Sequence, residues 1–332
     1  MFNAAFSSMI IGDDDTAEAM RHLSRTFQLV NKKLSGSEAT ADTTFASIVA
    51  MTQYERLKGN YKKGLIHLDG LERLTNMRGG IGQLSQRQPA LAKKIFRADL
   101  EFALHLGTPT RFHYTLLRNE RVELLLDMST AQETAQNSRI SPFDRVLPDL
   151  QEVLQYIQTF ATLINTHTHS PAMIDGNAFH DVLNFLGYRL IAINTLGSPP
   201  LQDDMSNVLL LGLYCFVITF LAGLNRKIPP LPLLGERIKT AADKHHSSSV
   251  NCHEVLIWTL LISRTAVLCP ADDTWILPKV HESIQFLGIR DSNELQTRLS
   301  KLPWIGVLHD TICKRLYTTV SQRFLMPPLL GI

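Results

Sequence analysis

His167-Thr168-His169, with Asp175 and His180 close behind, is the first place in the chain where residue types and spacing could do chemistry. Two imidazoles one residue apart can grip a transition metal when they project the same way, as alternate residues do on a strand. Here the pair follows an apolar helical pattern and precedes Ser170-Pro171, so a polar loop between helices is the plainer reading. A second group, His245-His246 and Cys252-His253, holds four candidate zinc ligands. Its run of serines reads as a connector, and Cys252 stands where an apolar helix begins. Asp99 and Glu101 could make an acid/base pair, but Lys94 and Arg97 lie near enough to neutralise them, which favours a charged or ion-paired face. His309-Asp310 are adjacent, hence on different sides of a helix, and form no relay with each other.

Other chemistries lack their residues. There is no G-x-S-x-G nucleophile elbow and no H-E-x-x-H pair. Arg78-Gly79-Gly80 has neither the G-x-G-x-x-G spacing nor a following Lys-Ser or Lys-Thr, so it reads as the glycine end of a helix and not as a phosphate loop. The four cysteines, Cys215, Cys252, Cys269 and Cys313, are scattered through apolar sequence without a C-x-x-C pair, which suits small buried hydrophobes in a reducing compartment. With 33 Lys plus Arg against 31 Asp plus Glu, the basic residues fall as isolated dyads (Lys32-Lys33, Lys62-Lys63, Lys93-Lys94). A nucleic-acid surface needs a continuous positive stripe, and none is visible. On balance these readings lead to the expectation of no catalytic residue, no metal ligand and no cofactor, with the histidine loop at 167–180 as the alternative site.

The elements that would position these residues read as helices almost throughout. Leu65, Leu68, Leu71, Leu74 and Met77 recur at three-residue spacing and predict an amphipathic helix closed by Gly79 and Gly80. After a short polar gap, Leu91, Ile95, Ala98, Phe102 and Leu106 make one stripe of a second helix, which Pro109 should stop. Asp15 and Glu18 bracket a capping-box pattern opening a helix toward Leu34. Phe45, Ile48, Val49 and Thr52 start another, broken at Gly59-Asn60, and it should form an antiparallel hairpin with the helix that follows. Polar residues 130–142 are expected to separate a hairpin region, 1–130, from a helical core, 145–332, within one all-helical domain. Further breaks are expected at 197–200, 228–232 and 269–273, and a last helix over 304–324 before Pro327-Pro328. Residues 207–225 are uncharged and just long enough to cross a bilayer, but amphipathic helices flank them, so a buried central helix is the better reading. Trp258, Trp275, Trp304, Phe286 and Phe324 sit at helical spacing with aliphatics and are expected in the core. The first residues, MFNAAFSSMIIGDDD, lack the basic leader of a secretory signal. The expected fold is all-α, an irregular stack of helical hairpins around an apolar central helix, with no sheet.

Several of these residues carry a likeness in wording. His67, Gly70-Leu71-Glu72, Arg78-Gly79-Gly80, Arg97-Ala98-Asp99-Leu100 and Pro109-x-Arg111-Phe112 resemble the fungal-specific transcription factor domain, a helical regulatory region that usually follows a binuclear zinc cluster. Val255-Leu256-Ile257-Trp258 looks like the Trp-bearing helix of that family, and Leu302-Pro303-Trp304-Ile305 with His309-Asp310 looks like its C-terminal region. A zinc cluster needs six thiolates in a basic segment, and four scattered cysteines cannot supply it. The resemblance implies a non-catalytic regulatory domain, in the nucleus, acting on transcription without touching DNA. It would work through a protein partner, such as a transcription factor or a second copy of itself, or by sensing a small-molecule effector between helices. The alternative from another class is a helical enzyme using the histidine loop at 167–180, and a membrane-anchored protein is a third.

Overall fold

The computed structural model describes residues 17–136, 146–168, 175–221, 230–245 and 249–325. Among them the chain is all-α, with fourteen α-helices and no strand. It divides into two compact units, the first reaching Leu117 and the second beginning at Arg118.

The first unit holds α1 (Ala17–Leu34), α2 (Asp42–Leu57), α3 (Tyr61–Met77), α4 (Ile81–Arg87) and α5 (Pro89–Leu106), then a 3-10 turn at Tyr114–Leu117. The hairpin of α2 and α3 turns at Gly59, whose positive φ of 74° an L-residue rarely adopts. Leu68, Leu71 and Leu74 of α3 are buried as their spacing predicts, but Met77 is 70 % exposed. A three-residue spacing falls 60° short of a full circle at each step, since a helix turns about 100° per residue. Over four steps the row therefore leaves the buried face, and Met77 emerges on the outer side.

In this unit two expectations need correction. Pro109 does not stop α5: Gly107 ends it in the left-handed conformation, its N–H donating to the Ala103 carbonyl, and Pro109 stands exposed in the turn beyond. The polar gap is itself the short helix α4, which buries Ile81 and Leu84. Seven residues are two turns, too few for a period to emerge. Helix α5 is enclosed on more than its stripe, with Phe96, Leu100, Ala103 and Leu104 buried beside Ile95, Ala98 and Phe102.

The second unit holds α6 (Glu120–Gln136), α7 (Pro148–Thr168), α8 (Gly176–Ile193), α9 (Asp204–Leu221), α10 (Pro232–Asp243), α11 (Val250–Ala266), α12 (Asp273–Leu287), α13 (Ser292–Leu299) and α14 (Gly306–Val320). Helix α6 runs on through Gln136, so 130–136 is helix and not the polar separator expected there. The last helix starts at Gly306 and passes at Ser321 into a short π turn. Asp15, the first residue of the capping-box pattern, and Pro327-Pro328 lie outside what the structure describes, while Glu18 falls within α1.

The uncharged segment forms α9, the one described helix long and apolar enough to cross a membrane, and it is buried inside this unit from Met205 to Thr219. Its closest companion is α11. Gly212 makes that approach possible, because a Cβ there would stand 2.3 Å from Trp258 Cζ3 and 2.5 Å from Thr259 Oγ1. The Thr259 hydroxyl donates to the Val208 carbonyl at 3.1 Å, and the Thr219 and Thr265 hydroxyls bond at 2.6 Å, tying the pair at two levels.

Candidate functional site

Arg111 gathers the motif residues of the first unit. Its Nη2 donates to Asp69 Oδ1 at 2.5 Å, its Nε lies 3.4 Å from Glu72 Oε2, and its Nη1 lies 3.5 Å from Asp99 Oδ1. The Arg111 backbone N–H also donates to Asp99 Oδ2 at 2.9 Å. Asp69 and Glu72 are three apart on α3 and share a face, whereas Asp99 comes from the middle of α5 and is fully buried. One guanidinium thus joins α3, α5 and the turn after α5. Burial opposes its charge, but the bond to Asp69 and the field of Asp99 outweigh burial and hold its proton more tightly than in free arginine.

Glu101, two residues beyond Asp99 and so about 200° round the helix, has its own set of donors. Arg97 Nε donates to Oε1 at 2.7 Å, while Arg56 Nε lies 3.1 Å and Gln53 Nε2 2.8 Å from Oε2. Burial alone would raise this carboxyl, yet Arg56 and Arg97 together hold it below the usual carboxylate range. Asp99 and Glu101 are therefore compensated, as their neighbourhood suggested, though by different partners. Arg97 serves Glu101 alone among the two residues expected, Arg56 of α2 stands where Lys94 was expected, and Arg111 takes Asp99.

Arg78 pairs with Asp42 at 2.5 Å and stands over the Phe45 ring, 5.4 Å from its centroid. Gly79 and Gly80 follow with φ of 89° and 92°, and the Gly80 N–H reaches back to the Thr75 carbonyl at 3.0 Å, which closes α3 as the sequence implies. Phe112 packs edge-on against Phe96 at 5.6 Å. His67 is half-buried beside Phe27, and burial holds its imidazole below the usual pKa against the opposing field of Glu55. Gly70 has open space where a Cβ would stand, while Gly64, six residues earlier, touches the Phe102 ring.

The tryptophan residues build a second assembly, within the second unit. Trp258 is fully buried and its indole N–H donates to the Pro303 carbonyl at 3.1 Å. Trp304 donates to Asp310 Oδ1 at 2.8 Å and meets the His309 ring at 5.2 Å. His309 Nδ1 accepts the Ile305 N–H at 3.0 Å, so that nitrogen carries no proton, and burial lowers the ring's pKa to about 4. Asn165 of α7 clamps the same turn, donating to the Trp304 carbonyl at 2.7 Å and accepting the Gly306 N–H at 3.1 Å. Trp258, Pro303 and Trp304 thus anchor the entry to α14. Three aromatics depart from the core reading: Phe286 is 47 % exposed and stacks on His253 at 4.1 Å, and Trp275 and Phe324 are only partly buried.

The two histidine groups are only partly within the described residues, since His169 and His246 lie outside them. His167 closes α7, its Nδ1 2.8 Å from the Leu163 carbonyl. Asp175 caps α8, accepting the Asn177 N–H at 3.0 Å. His180 is exposed on α8. In the other group His245 and His253 are buried with ring centroids 4.9 Å apart, and His253 Nδ1 lies 3.0 Å from Ser283 Oγ. Burial, then His253, lowers the His245 pKa. Among the described residues no three His, Cys, Asp or Glu side chains are arranged to hold a metal ion.

Sequence reasoning missed Asp69, Gln53 and Arg56, which complete the two charge assemblies, and Gly64 and Gly212. Asp69 could have been found from its three-residue offset to Glu72; the glycines give no local signal, because what crosses them is distant in sequence. No family model, curated protein or solved structure matches this chain.

Proposed function

We propose that this chain is a non-catalytic, all-helical regulatory domain of the fungal transcription factor type, acting on transcription in the nucleus through a protein partner. What supports the reading is the job done by the residues that carry the resemblance. Glu72, Asp99 and Arg111 brace α3 to α5, Arg78, Gly79 and Gly80 close α3, and Trp258, Pro303 and Trp304 fix α14 in the second unit. Their charges are spent on one another, as a scaffold requires and a reaction centre does not. A small-molecule effector between helices would act by shifting the packing of these braces.

The test is quantitative co-purification from cells that express the protein, tagged at its native level. Recovery of the same transcription component in repeated experiments is the expected result, and a His167→Ala substitution should leave that recovery unchanged. Repeated recovery of no transcription component would overturn the proposal.

A further inference from the structure

Helix α3 has an outward face that the braces leave unused. At about 100° per residue, Lys62, Arg73, Ile66, Met77, Gly70 and Lys63 fall in that angular order along one arc, away from buried Leu68 and Leu71. Ile66 is 69 % and Met77 70 % exposed, and all three cations are exposed. The only carboxylates on α3, Asp69 and Glu72, are turned to Arg111. Lys62, Lys63 and Arg73 are therefore left without an ion pair among the described residues. Along the helix axis between the two aliphatics, Gly70 has open space where a Cβ would stand, so the face carries a notch there.

We infer that this face docks an acidic segment of a partner protein, whose apolar side chains cover Ile66 and Met77 and fill the notch at Gly70. The inference rests on the interaction-domain reading and adds the partner's chemistry. Charge complementarity selects an acidic ligand, because three uncompensated cations on one face attract carboxylates and repel basic segments. Ile66 and Met77 stand eleven residues apart, roughly 16 Å along the axis, which a three-turn amphipathic helix can span with anchors at i, i+4, i+7 and i+11. A nucleic acid would be served by an unbroken cationic stripe, and here two aliphatics occupy the middle of the arc. An anionic bilayer would need a broader apolar face to sink into it.

The experiment uses the whole chain and a fluorescent acidic peptide of roughly 16 residues with Leu and Phe at those anchor positions. Anisotropy should report binding that weakens about tenfold when Lys62, Lys63 and Arg73 are all changed to Glu. Gly70→Leu and the double change Ile66→Ser with Met77→Ser should each weaken it by about fivefold or more. A peptide with lysines in place of its acids should not compete. Five of the six positions are exposed and Gly70 has open space where a Cβ would stand, and circular dichroism verifies that each variant keeps its helices. Equal affinity for wild type and variants, or no binding of the peptide, would overturn the inference, as would binding only to phosphatidylserine vesicles. A transcription component that still co-purifies with the charge-reversed variant leaves the regulatory proposal standing and overturns this one. Peptide binding that follows the variants while no transcription component is recovered does the reverse.

Discussion

Asp99 is a fully buried carboxylate that Arg111 holds through both its guanidinium and its backbone N–H, so the residue scale is where this chain is most easily damaged. Arg111→Ala should cost about 1.5–3 kcal/mol, the range for lost hydrogen bonds to a charged group, seen as a lower urea midpoint. Arg111→Lys should recover little, because a point charge cannot reach Asp69, Glu72 and Asp99 from one position as a planar fork does. His309 sets a pH dependence. Its folded pKa of about 4 lies below the unfolded value of about 6.5, so the unfolded chain binds more protons between these limits. Its neutral form therefore contributes fully above the unfolded pKa, and that contribution is lost as pH falls toward 4, by about 3 kcal/mol. His67 and His245, also held low by burial, act in the same direction. Urea titrations at several pH values should show a shallower acid loss in His309→Gln than in wild type. At this scale the sequence revealed Glu72, Asp99 and Arg111 as motif residues but not that they meet. Two of them lie on different helices and the third in a turn, and side-chain contact through space leaves no periodic trace.

Helices, by contrast, announce themselves wherever a stripe persists over several turns. The fold class, α3 and α5 were legible for that reason, and α9 by its uncharged apolar run, while α4 was too short to show a period. The polar residues at 130–136 hid the end of α6, whose helix continues although its composition looks like a loop. Glycine shows what composition cannot tell. Gly64, Gly70 and Gly212 all lie inside helices, yet only Gly70 has room for a methyl group. Gly70→Ala should stabilise the protein by about 0.5–1 kcal/mol through helix propensity. Gly212→Ala should destabilise it by about 1–3 kcal/mol, because Trp258 and Thr259 would have to give way. Thermal unfolding of the pair distinguishes a helix surface from a helix crossing with the same substitution.

Across the whole molecule, the cysteines report how tightly the second unit is closed. Cys215 and Cys313 are buried and burial raises both thiols, Cys313 to about 12, whereas Cys269 is exposed. A thiol reagent at neutral pH should modify Cys269 within minutes and reach Cys215 only at the rate of unfolding, as peptide mapping by mass spectrometry would show. The same scattering of cysteines that removed a zinc cluster from the sequence reading places two of them in the apolar core. Function is the level at which the sequence spoke least through physics. Its resemblance residues turn out to brace helices, and bracing is a property many regulatory and interaction domains would share. The most direct measurement is therefore to fuse the whole chain to an unrelated DNA-binding module and count transcripts from a reporter carrying that module's site. A reproducible change of several-fold, in either direction, is the expected result; transcript levels equal to those with the DNA-binding module alone would contradict a role in transcription.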